Sequence, residues 1–251
     1  MSHELLLIGA GFLAGAMNAI AGGGSFVTLS ALVLVGLPSV SANASSTVAL
    51  FPASLASSWA YRRDLSSIGA VSLRALLPVS LVGGALGSLL LLATPSALFD
   101  ELIPWLLLLA TLAFAFGQRA GLALRRLLSI GPVPLLLAQF LLAVYGGYFG
   151  GAVGIMMMAV WSLLSTVDIK AMNPAKTVLV AAANAVAVLC FIAAREVWWE
   201  ETLVTLVAAA LGGYAGARLA RRLDPQWLRR GVLLLTVAMT VAFFVRASSR
   251  G

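Results

Sequence analysis

Two clusters of glycine and small polar residues are the places in this sequence where a ligand could bind. The first cluster consists of Asn18, Gly22, Gly23, Gly24, Ser25, Asn43, Ser45, Ser46 and Thr47. The second consists of Gly151, Gly154, Asn173, Lys176 and Thr177. Glycine breaks leave backbone N–H groups free, and the amide, hydroxyl and ammonium groups are further hydrogen-bond donors. A pocket of donors with one cation is suited to a small oxyanion, so we predict that these residues bind one.

The glycine run 22–24 is the strongest of these signals, because three consecutive glycines weaken a helix more than close packing requires. Helix N-termini expose N–H groups and carry a partial positive charge, which attracts anions. Ser25 is predicted to cap the half-helix that follows the glycines. Asn18 and Lys176 each have two possible roles. Asn18 either caps or bridges helices or touches the ligand, and Lys176 either touches the ligand or extends to lipid headgroups.

The two clusters lie at matching places in a duplicated sequence. Asn43 recurs as Asn173 at an offset of about 130 residues. The glycine motif 83–87 recurs as 212–216 at nearly the same offset, and we interpret both motifs as sites of close helix packing. The predicted organisation is a first membrane repeat at 1–118, a cytoplasmic linker at 119–131 and a second membrane repeat at 132–251.

The composition is that of a protein embedded in lipid. Hydrophobic residues make up 61% of the chain and charged residues 10%, and the mean hydropathy is +1.04. A soluble domain is about one quarter charged. Leucine- and alanine-rich runs predict helices that span the membrane. The candidate spans are 5–21, 43–61, 75–93, 102–118, 132–149, 173–194, 202–217 and 231–246, and the predicted half-helices are 26–36 and 155–165.

The charges between these spans predict the orientation of the chain. The basic loops are 62–74, 119–126 and 218–230, and the acidic loops are 100–101 and 195–201. By the positive-inside rule the basic loops are cytoplasmic and the acidic loops lie outside. Equivalent points of the two repeats then lie on opposite sides of the membrane. The prediction is therefore an all-α polytopic membrane protein with two inverted-topology repeats and glycine-broken or re-entrant helices.

The sequence leaves the number of crossings open. Each glycine break makes its two flanking segments either two crossings or one re-entrant hairpin, with the same sidedness. The fold then has either ten membrane-crossing elements or six full spans with two re-entrant hairpins. A single continuous helix through 5–36 would place the acidic loop 195–201 inside, against the charge rule.

The residue inventory argues against several other classes of function. The one histidine, His3, lies near the terminus, so a serine within the spans has no base nearby. The lone Cys190 leaves no partner for an internal disulfide. We predict no enzyme activity, no bound metal and no cofactor. The net charge of +7 comes from basic residues in short loops, which are orientation signals and not a nucleic-acid surface.

The chain resembles the TauE/SafE family of membrane permeases, whose members are often described as sulfite exporters. The resemblance is carried by Gly11-Phe-Leu-Ala-Gly15 through Asn18, Ala21-Gly-Gly-Gly-Ser25, Ala42-Asn-Ala-Ser-Ser-Thr47 and Tyr61-Arg62. It is repeated more loosely at 150–154 and at Ala175-Lys-Thr177. The resemblance implies transport of small sulfur-containing anions, such as sulfite, sulfoacetate or related sulfonates, across the bacterial inner membrane.

A secondary transporter for a small anion is the leading hypothesis. A passive anion channel could use the same pocket, and a carboxylate could take the place of the sulfur anion. The expected partners are the anion and membrane lipid, without nucleic acid, and a homodimer is compatible with the sequence. The identity of the anion, the direction of transport and the coupling ion stay open, because no acidic residue lies clearly within a span.

Overall fold

The computed structural model describes residues 2–20, 23–68, 71–124, 132–164, 169–220 and 225–248. Within these residues the chain forms ten α-helices and no strand, with one isolated bridge between Ile68 and Val71. The helices are α1 (Ser2–Ile20), α2 (Ser25–Leu34), α3 (Ser39–Tyr61), α4 (Leu73–Ala93), α5 (Ser96–Leu124), α6 (Pro132–Tyr148), α7 (Val153–Leu164), α8 (Ile169–Ala193), α9 (Trp199–Ala220) and α10 (Pro225–Ser248). The all-α class predicted from the sequence is confirmed.

Helices α3 and α8 begin about one turn before the spans predicted from the sequence. α3 starts at Ser39 and α8 at Ile169. Asn43 and Asn173 therefore lie in the second helical turn and not at the start of the helix. The polar residues after them belong to regular helix, so their backbone N–H groups are available for intrahelical hydrogen bonds.

Three helices of the described ranges are long and apolar enough to cross a membrane, namely Leu73–Ala93, Ser96–Ala113 and Ala171–Ala193. Shorter apolar helices accompany them. α2 and α7 have 10 and 12 residues and match the predicted half-helices. At 1.5 Å per residue they extend only about 15–18 Å, roughly half of a hydrocarbon core of about 30 Å. The chain is a multi-pass membrane protein that combines full-length and short helices.

Helix α5 continues beyond the predicted end of the first repeat. It runs from Ser96 to Leu124 and so occupies the first part of the predicted linker 119–131. The remainder of that linker, 125–131, lies outside the described residues. The division into repeats and linker stays a prediction.

The two predicted repeats are interleaved and do not lie side by side. α1 packs along α9 and α4 packs along α6, so the first helix of each repeat lies against the fourth helix of the other. α3 packs against α8, and α5 packs against α10. If each helix is replaced by its equivalent in the other predicted repeat, the same set of helix pairs results. A pseudo-two-fold axis between the repeats would produce this pattern. The inverted orientation of the repeats in the membrane stays a prediction.

Glycines bring the paired helices into backbone contact. On α4, a Cβ added at Gly83 would lie 2.7 Å from the Cβ of Ala143 on α6. On α9, a Cβ added at Gly216 would lie 2.5 Å from the Cα of Ala16 on α1. Carbon atoms normally approach to about 3.5–4.0 Å, so a side chain at either position would force the helices apart. The interpretation of the two glycine motifs as packing sites is confirmed.

One hydrogen bond joins equivalent residues of the two repeats directly. The Oγ1 atoms of Thr111 on α5 and Thr240 on α10 are 3.0 Å apart, and the residues are separated by 129 positions. Both side chains are 5% exposed. Equivalent residues of two repeats can touch each other only close to the axis that relates them. The predicted axis between the repeats would therefore pass between α5 and α10, next to this buried pair.

Single cysteines can test the predicted orientation once Cys190 has been replaced by serine. Leu65, in the loop after α3, and Ala194, after the end of α8, are both exposed and uncharged. A membrane-impermeant maleimide added to intact cells is expected to label Ala194→Cys and to leave Leu65→Cys unlabelled until the membrane is permeabilised. Equal labelling of both cysteines in intact cells would contradict the inverted topology.

Candidate functional site

The first helix break lies between α1 and α2. Gly23 has a φ of +89°, a left-handed conformation that favours glycine. The N–H of Gly24 donates to Oδ1 of Asn18 at 2.8 Å, so Asn18 caps the start of α2 from the end of α1. The predicted capping by Ser25 is wrong, because Ser25 is the first residue of α2 and Gly24 occupies the cap position. Gly22 lies outside the described residues.

The second helix break lies between α6 and α7, at residues 149–152. Gly150 and Ala152 have φ values of +75° and +54°. For Ala152 this left-handed backbone costs about 1–2 kcal/mol. Where the structure describes the chain, no acceptor is found for the N–H groups of residues 151–154. Turns of this kind gather successive N–H groups into a concavity that binds anions.

The two breaks meet in the core of the protein. The ring of Phe26, at the start of α2, packs edge-on against the ring of Phe149, with 6.5 Å between the centroids. Tyr145 packs against Phe149 at a centroid distance of 5.9 Å. Phe26 and Phe149 are 1% and 2% exposed, so protein packs around the side chains that lie between the two breaks. Irregular backbone at membrane depth is tolerated where protein surrounds it in this way.

The second turn of α3 lies against the second break. Asn43 donates from Nδ2 to the carbonyl of Tyr148 at 3.0 Å and is 2% exposed. Thr47 follows one turn later, and its Oγ1 would be 3.9 Å from a Cβ added at Gly150. These contacts place two predicted ligands of the first cluster beside the break of the second cluster, as the sequence predicts.

The two serines between Asn43 and Thr47 bond to other parts of the fold. Ser46 forms a hydrogen bond of 2.5 Å with Thr28 of α2, and both side chains are buried. Ser45 accepts a hydrogen bond of 3.0 Å from the N–H of Trp198, just before α9. Ser46 therefore ties α3 to α2, and Ser45 ties α3 to the loop before α9. Neither of these hydrogen bonds involves the second break.

Lys176 lies across the start of α7. A Cβ added at Gly154 would be 3.1 Å from Cδ of Lys176, so the lysine stem covers this glycine. The side chain is half-buried. Within the described part of the chain its ammonium has no hydrogen-bond or ion-pair partner. A cation beside the free N–H groups of residues 151–154 makes this end of the break positively charged.

The turn of α8 from Asn173 to Thr177 corresponds to the turn of α3 from Asn43 to Thr47. The two turns share one hydrogen bond within the helix but differ in their contacts with other helices. Thr177 donates to the carbonyl of Asn173 at 2.8 Å, as Thr47 does to the carbonyl of Asn43 at 2.9 Å. The carbonyl of Thr177 accepts a hydrogen bond of 3.2 Å from Ser58 of α3. Among the described residues no hydrogen bond joins Asn173 or Thr177 to the first break. The candidate site is built mainly on the second break, and not equally on both.

Asn184 of α8 is a polar residue that the duplicated motifs do not single out. Its Oδ1 is buried and has no hydrogen-bond partner within the described ranges. It follows Thr177 by about two helical turns and so lies on the same face of α8. The available signal is an amide in the middle of the apolar span 173–194, since polar residues at membrane depth are costly and usually functional.

A groove of about 300 Å³ lies along α1 and α2. It is formed by apolar residues of α1 and α2 together with Met239 of α10. Two of its side chains, Leu5 and Leu34, are more than half exposed. A groove with this lining offers no side-chain donor to an anion, so it is not the candidate site.

Comparison with known proteins gives matches over nearly the whole chain. Residues 7–243 match the family described as "Sulfite exporter TauE/SafE". A "Probable membrane transporter protein" of Haemophilus influenzae is 30% identical over 240 residues, which cover 94% of this chain and 92% of the relative. The "Probable membrane transporter protein YfcA" of Escherichia coli K12 is 26% identical over 91% of this chain and 84% of its own.

A third relative, the "Probable membrane transporter protein ORF9" of a Sinorhizobium species, is 24% identical over 92% of this chain and 88% of its own. No solved structure gives a significant match. The names of the family and of these relatives all describe membrane transport and none describes an enzyme, which agrees with the sequence prediction of no enzyme activity.

Proposed function

Because the chain belongs to the sulfite exporter TauE/SafE family, we propose that it is a secondary transporter that moves a small anion across the bacterial inner membrane. The proposed substrate is sulfite or an organosulfonate such as sulfoacetate. The family name supports a sulfur oxyanion, and the relatives are named as membrane transporters without a stated substrate. The alternatives are a carboxylate substrate and a passive anion channel.

The second helix break is the observation that carries this proposal. Four consecutive N–H groups, at residues 151–154, have no acceptor within the described structure. The stem of Lys176 lies against Gly154, the last of these residues, and the hydroxyl of Thr47 lies near Gly150 at the start of the break. Buried N–H groups without partners are costly, whereas an anion would satisfy several of them at once. The chemistry of these donors is suited to a compact group with several negatively charged oxygens, such as a sulfite or sulfonate.

The burial of several residues beside the breaks supports a transporter over a channel. Phe26, Phe149 and Asn43 are at most 2% exposed, whereas Thr47 and Lys176 are half-buried. A passive channel needs a continuous open path when it conducts, whereas a transporter has a state in which protein covers the site on both sides. Accumulation of substrate against its gradient in proteoliposomes would support the transporter, and flux that only follows the gradient would support the channel.

Thermal unfolding of the purified protein can test the substrate class. Sulfite, sulfoacetate, sulfate and acetate would be added in separate titrations. At a ligand concentration of about 100 times Kd, binding stabilises the folded state by about 2.7 kcal/mol, which raises the unfolding temperature by several degrees. We expect this rise for sulfite or sulfoacetate and a smaller one for acetate. A rise for acetate alone would favour the carboxylate alternative, and no rise for any anion would contradict the proposal.

A further inference from the structure

A chain of buried hydrogen bonds joins α4, α6 and α7. The indole N–H of Trp161 on α7 donates to Oε1 of Gln139 on α6 at 3.1 Å. Nε2 of Gln139 donates to the hydroxyl of Ser80 on α4 at 2.8 Å, and this hydroxyl donates to the carbonyl of Leu76 at 2.8 Å. Trp161, Gln139 and Ser80 are all 0% exposed. Because an indole N–H can only donate, it fixes which way the amide of Gln139 points.

The amide of Gln139 reaches into an apolar part of the core. Its Nε2 also lies 3.9 Å from Sδ of Met157, one turn before Trp161. Met157 and Trp161 belong to an apolar cluster with Leu142 of α6 and Leu179 of α8. Polar side chains at membrane depth are costly and usually have a function. Since Gln139 is fully buried, we look for its function in the residues that it holds in place.

The buried contacts of α7 come from one face of the helix. Val153, Met157 and Trp161 follow one another at intervals of four residues and are at most 4% exposed. Gly154 is the residue after Val153, so it lies about 100° further round the helix. While the first face is buried, Gly154 lies against the stem of Lys176, whose Cγ and Cδ would be 3.5 and 3.1 Å from an added Cβ. The rotation of α7 therefore decides whether the second break meets the lysine.

We propose that Gln139 is a positioning residue of the anion site, and that its hydrogen bond to Trp161 fixes the rotation of α7 so that Gly154 lies against Lys176. This inference rests on the proposed function. Apolar contacts tolerate small rotations of a helix, whereas one buried polar contact can specify the register of packed helices. A rotated α7 would leave the indole N–H buried without an acceptor, which is costly. The same rotation would move Gly154 away from Lys176.

The other half-helix, α2, is held by a similar contact. Thr28 of α2 and Ser46 of α3 share a hydrogen bond of 2.5 Å, and the side chain of each is at most 1% exposed. A buried polar contact thus ties α2 to α3, as another ties α7 to α6. α2 and α7 have only 10 and 12 residues, so each offers a short apolar face to its neighbours. A directional contact compensates for the small number of apolar ones.

The first measurement tests the packing of Gly154 against Lys176 without any ligand. Gly154→Cys and Lys176→Cys are combined in a Cys190→Ser background, and disulfide formation in isolated membranes is timed after an oxidant is added. The two cysteines are close enough to react, since Cγ of Lys176 would lie 3.5 Å from a Cβ at Gly154. Adding Gln139→Met or Trp161→Phe is expected to slow disulfide formation about tenfold, because only a minority of molecules then keep the native rotation.

The second measurement is the affinity for the anion, in protein without the introduced cysteines. Gln139→Met and Trp161→Phe are expected to raise Kd for sulfite or sulfoacetate by the same factor of about ten. Apparent affinity falls with the fraction of molecules in the binding-competent state, and here that state is the native rotation of α7. Trp161→Phe keeps an aromatic ring in the cluster, so it decides the test if Gln139→Met does not fold.

Two matched controls separate positioning from loss of stability. Leu135→Ala creates a cavity in the same apolar cluster and keeps the bond between Trp161 and Gln139. It should lower the unfolding temperature but leave disulfide formation and Kd nearly unchanged. Thr111→Val combined with Thr240→Val removes a different buried hydrogen bond between helices and should leave both measurements unchanged.

Three results would overturn the proposal. They are equal slowing of disulfide formation by Leu135→Ala and Gln139→Met, no slowing by either Gln139→Met or Trp161→Phe, and slower disulfide formation with an unchanged Kd. The proposed function can fail separately. If the native protein responds to no anion, slower disulfide formation in both variants would uphold the positioning of α7 by Gln139 and reject the proposed substrate.

Discussion

Replacement of Lys176 by methionine is expected to weaken binding of the anionic substrate by about ten- to a hundredfold. Methionine keeps the apolar stem that covers Gly154 and removes the charge. A charge-assisted hydrogen bond contributes about 1.5–3 kcal/mol, and each 1.4 kcal/mol is a factor of ten in Kd. Titration of the purified variant with sulfite or sulfoacetate measures the change. An unchanged Kd would remove Lys176 from the site and leave the N–H groups of 151–154 as its main donors.

Two comparisons show whether the loss is specific. Arg62→Met removes a positive charge from an exposed arginine that stacks on Trp59 at 4.1 Å, and it should leave Kd unchanged. Thr47→Val removes one neutral hydroxyl beside Gly150 and should weaken binding less than Lys176→Met. If Arg62→Met and Lys176→Met weaken binding equally, the effect is one of net charge and not of a contact at the site.

Replacement of Gly212 by alanine is expected to prevent the close packing of α9 on α1. The added Cβ would overlap the backbone carbonyl of Phe12, which belongs to a regular helix and cannot rotate away. Overpacking a core position costs about 1–3 kcal/mol, and more when the neighbour is backbone. We expect a lower unfolding temperature and a smaller yield of monodisperse protein after extraction in detergent. Because α1 leads into the first break, transport should fall with stability.

Gly9→Ala is the matched control for this prediction. Gly9 lies on the same helix, α1, but no atom is within 4 Å of an added Cβ. Alanine favours a helix over glycine by up to about 1 kcal/mol, so this variant should be as stable as the native protein or slightly more so. Equal destabilisation by Gly9→Ala and Gly212→Ala would contradict the packing role of the glycine motif.

The sequence predicts the positions of the helices well, because hydrophobic length and glycine punctuation are local properties. The half-helices predicted at 26–36 and 155–165 correspond to α2 and α7. The glycine motifs 83–87 and 212–216 pack against backbone, as their spacing indicates. Helix starts are predicted less well. α3 and α8 begin about one turn early, since the residues before Asn43 and Asn173 are compatible with helix although they do not extend the apolar run.

The cap of α2 shows a limit of local reasoning. Serine after a glycine run favours a capping role for Ser25. In the fold Asn18 reaches across the break to the N–H of Gly24 instead. The two residues are close only because the chain turns back at Gly23, whose left-handed φ redirects it. The turn depends on Gly23, but its effect is to bring Asn18 and Gly24 together.

The sequence by itself determined that this is an all-helical membrane protein of the TauE/SafE family, with two glycine breaks and a small set of polar residues beside them. These features follow from composition, periodicity and motif spacing, which do not depend on how the helices are arranged. Only the tertiary structure decided which of the polar residues share one site. Asn43 and Thr47 lie on the face of α3 that meets the second break, whereas the hydroxyl of Ser45 bonds to the loop before α9. The reason is that helices of the two predicted repeats interleave, so contacts between distant parts of the chain, such as that of Asn43 with Tyr148, decide which face of each helix meets the break.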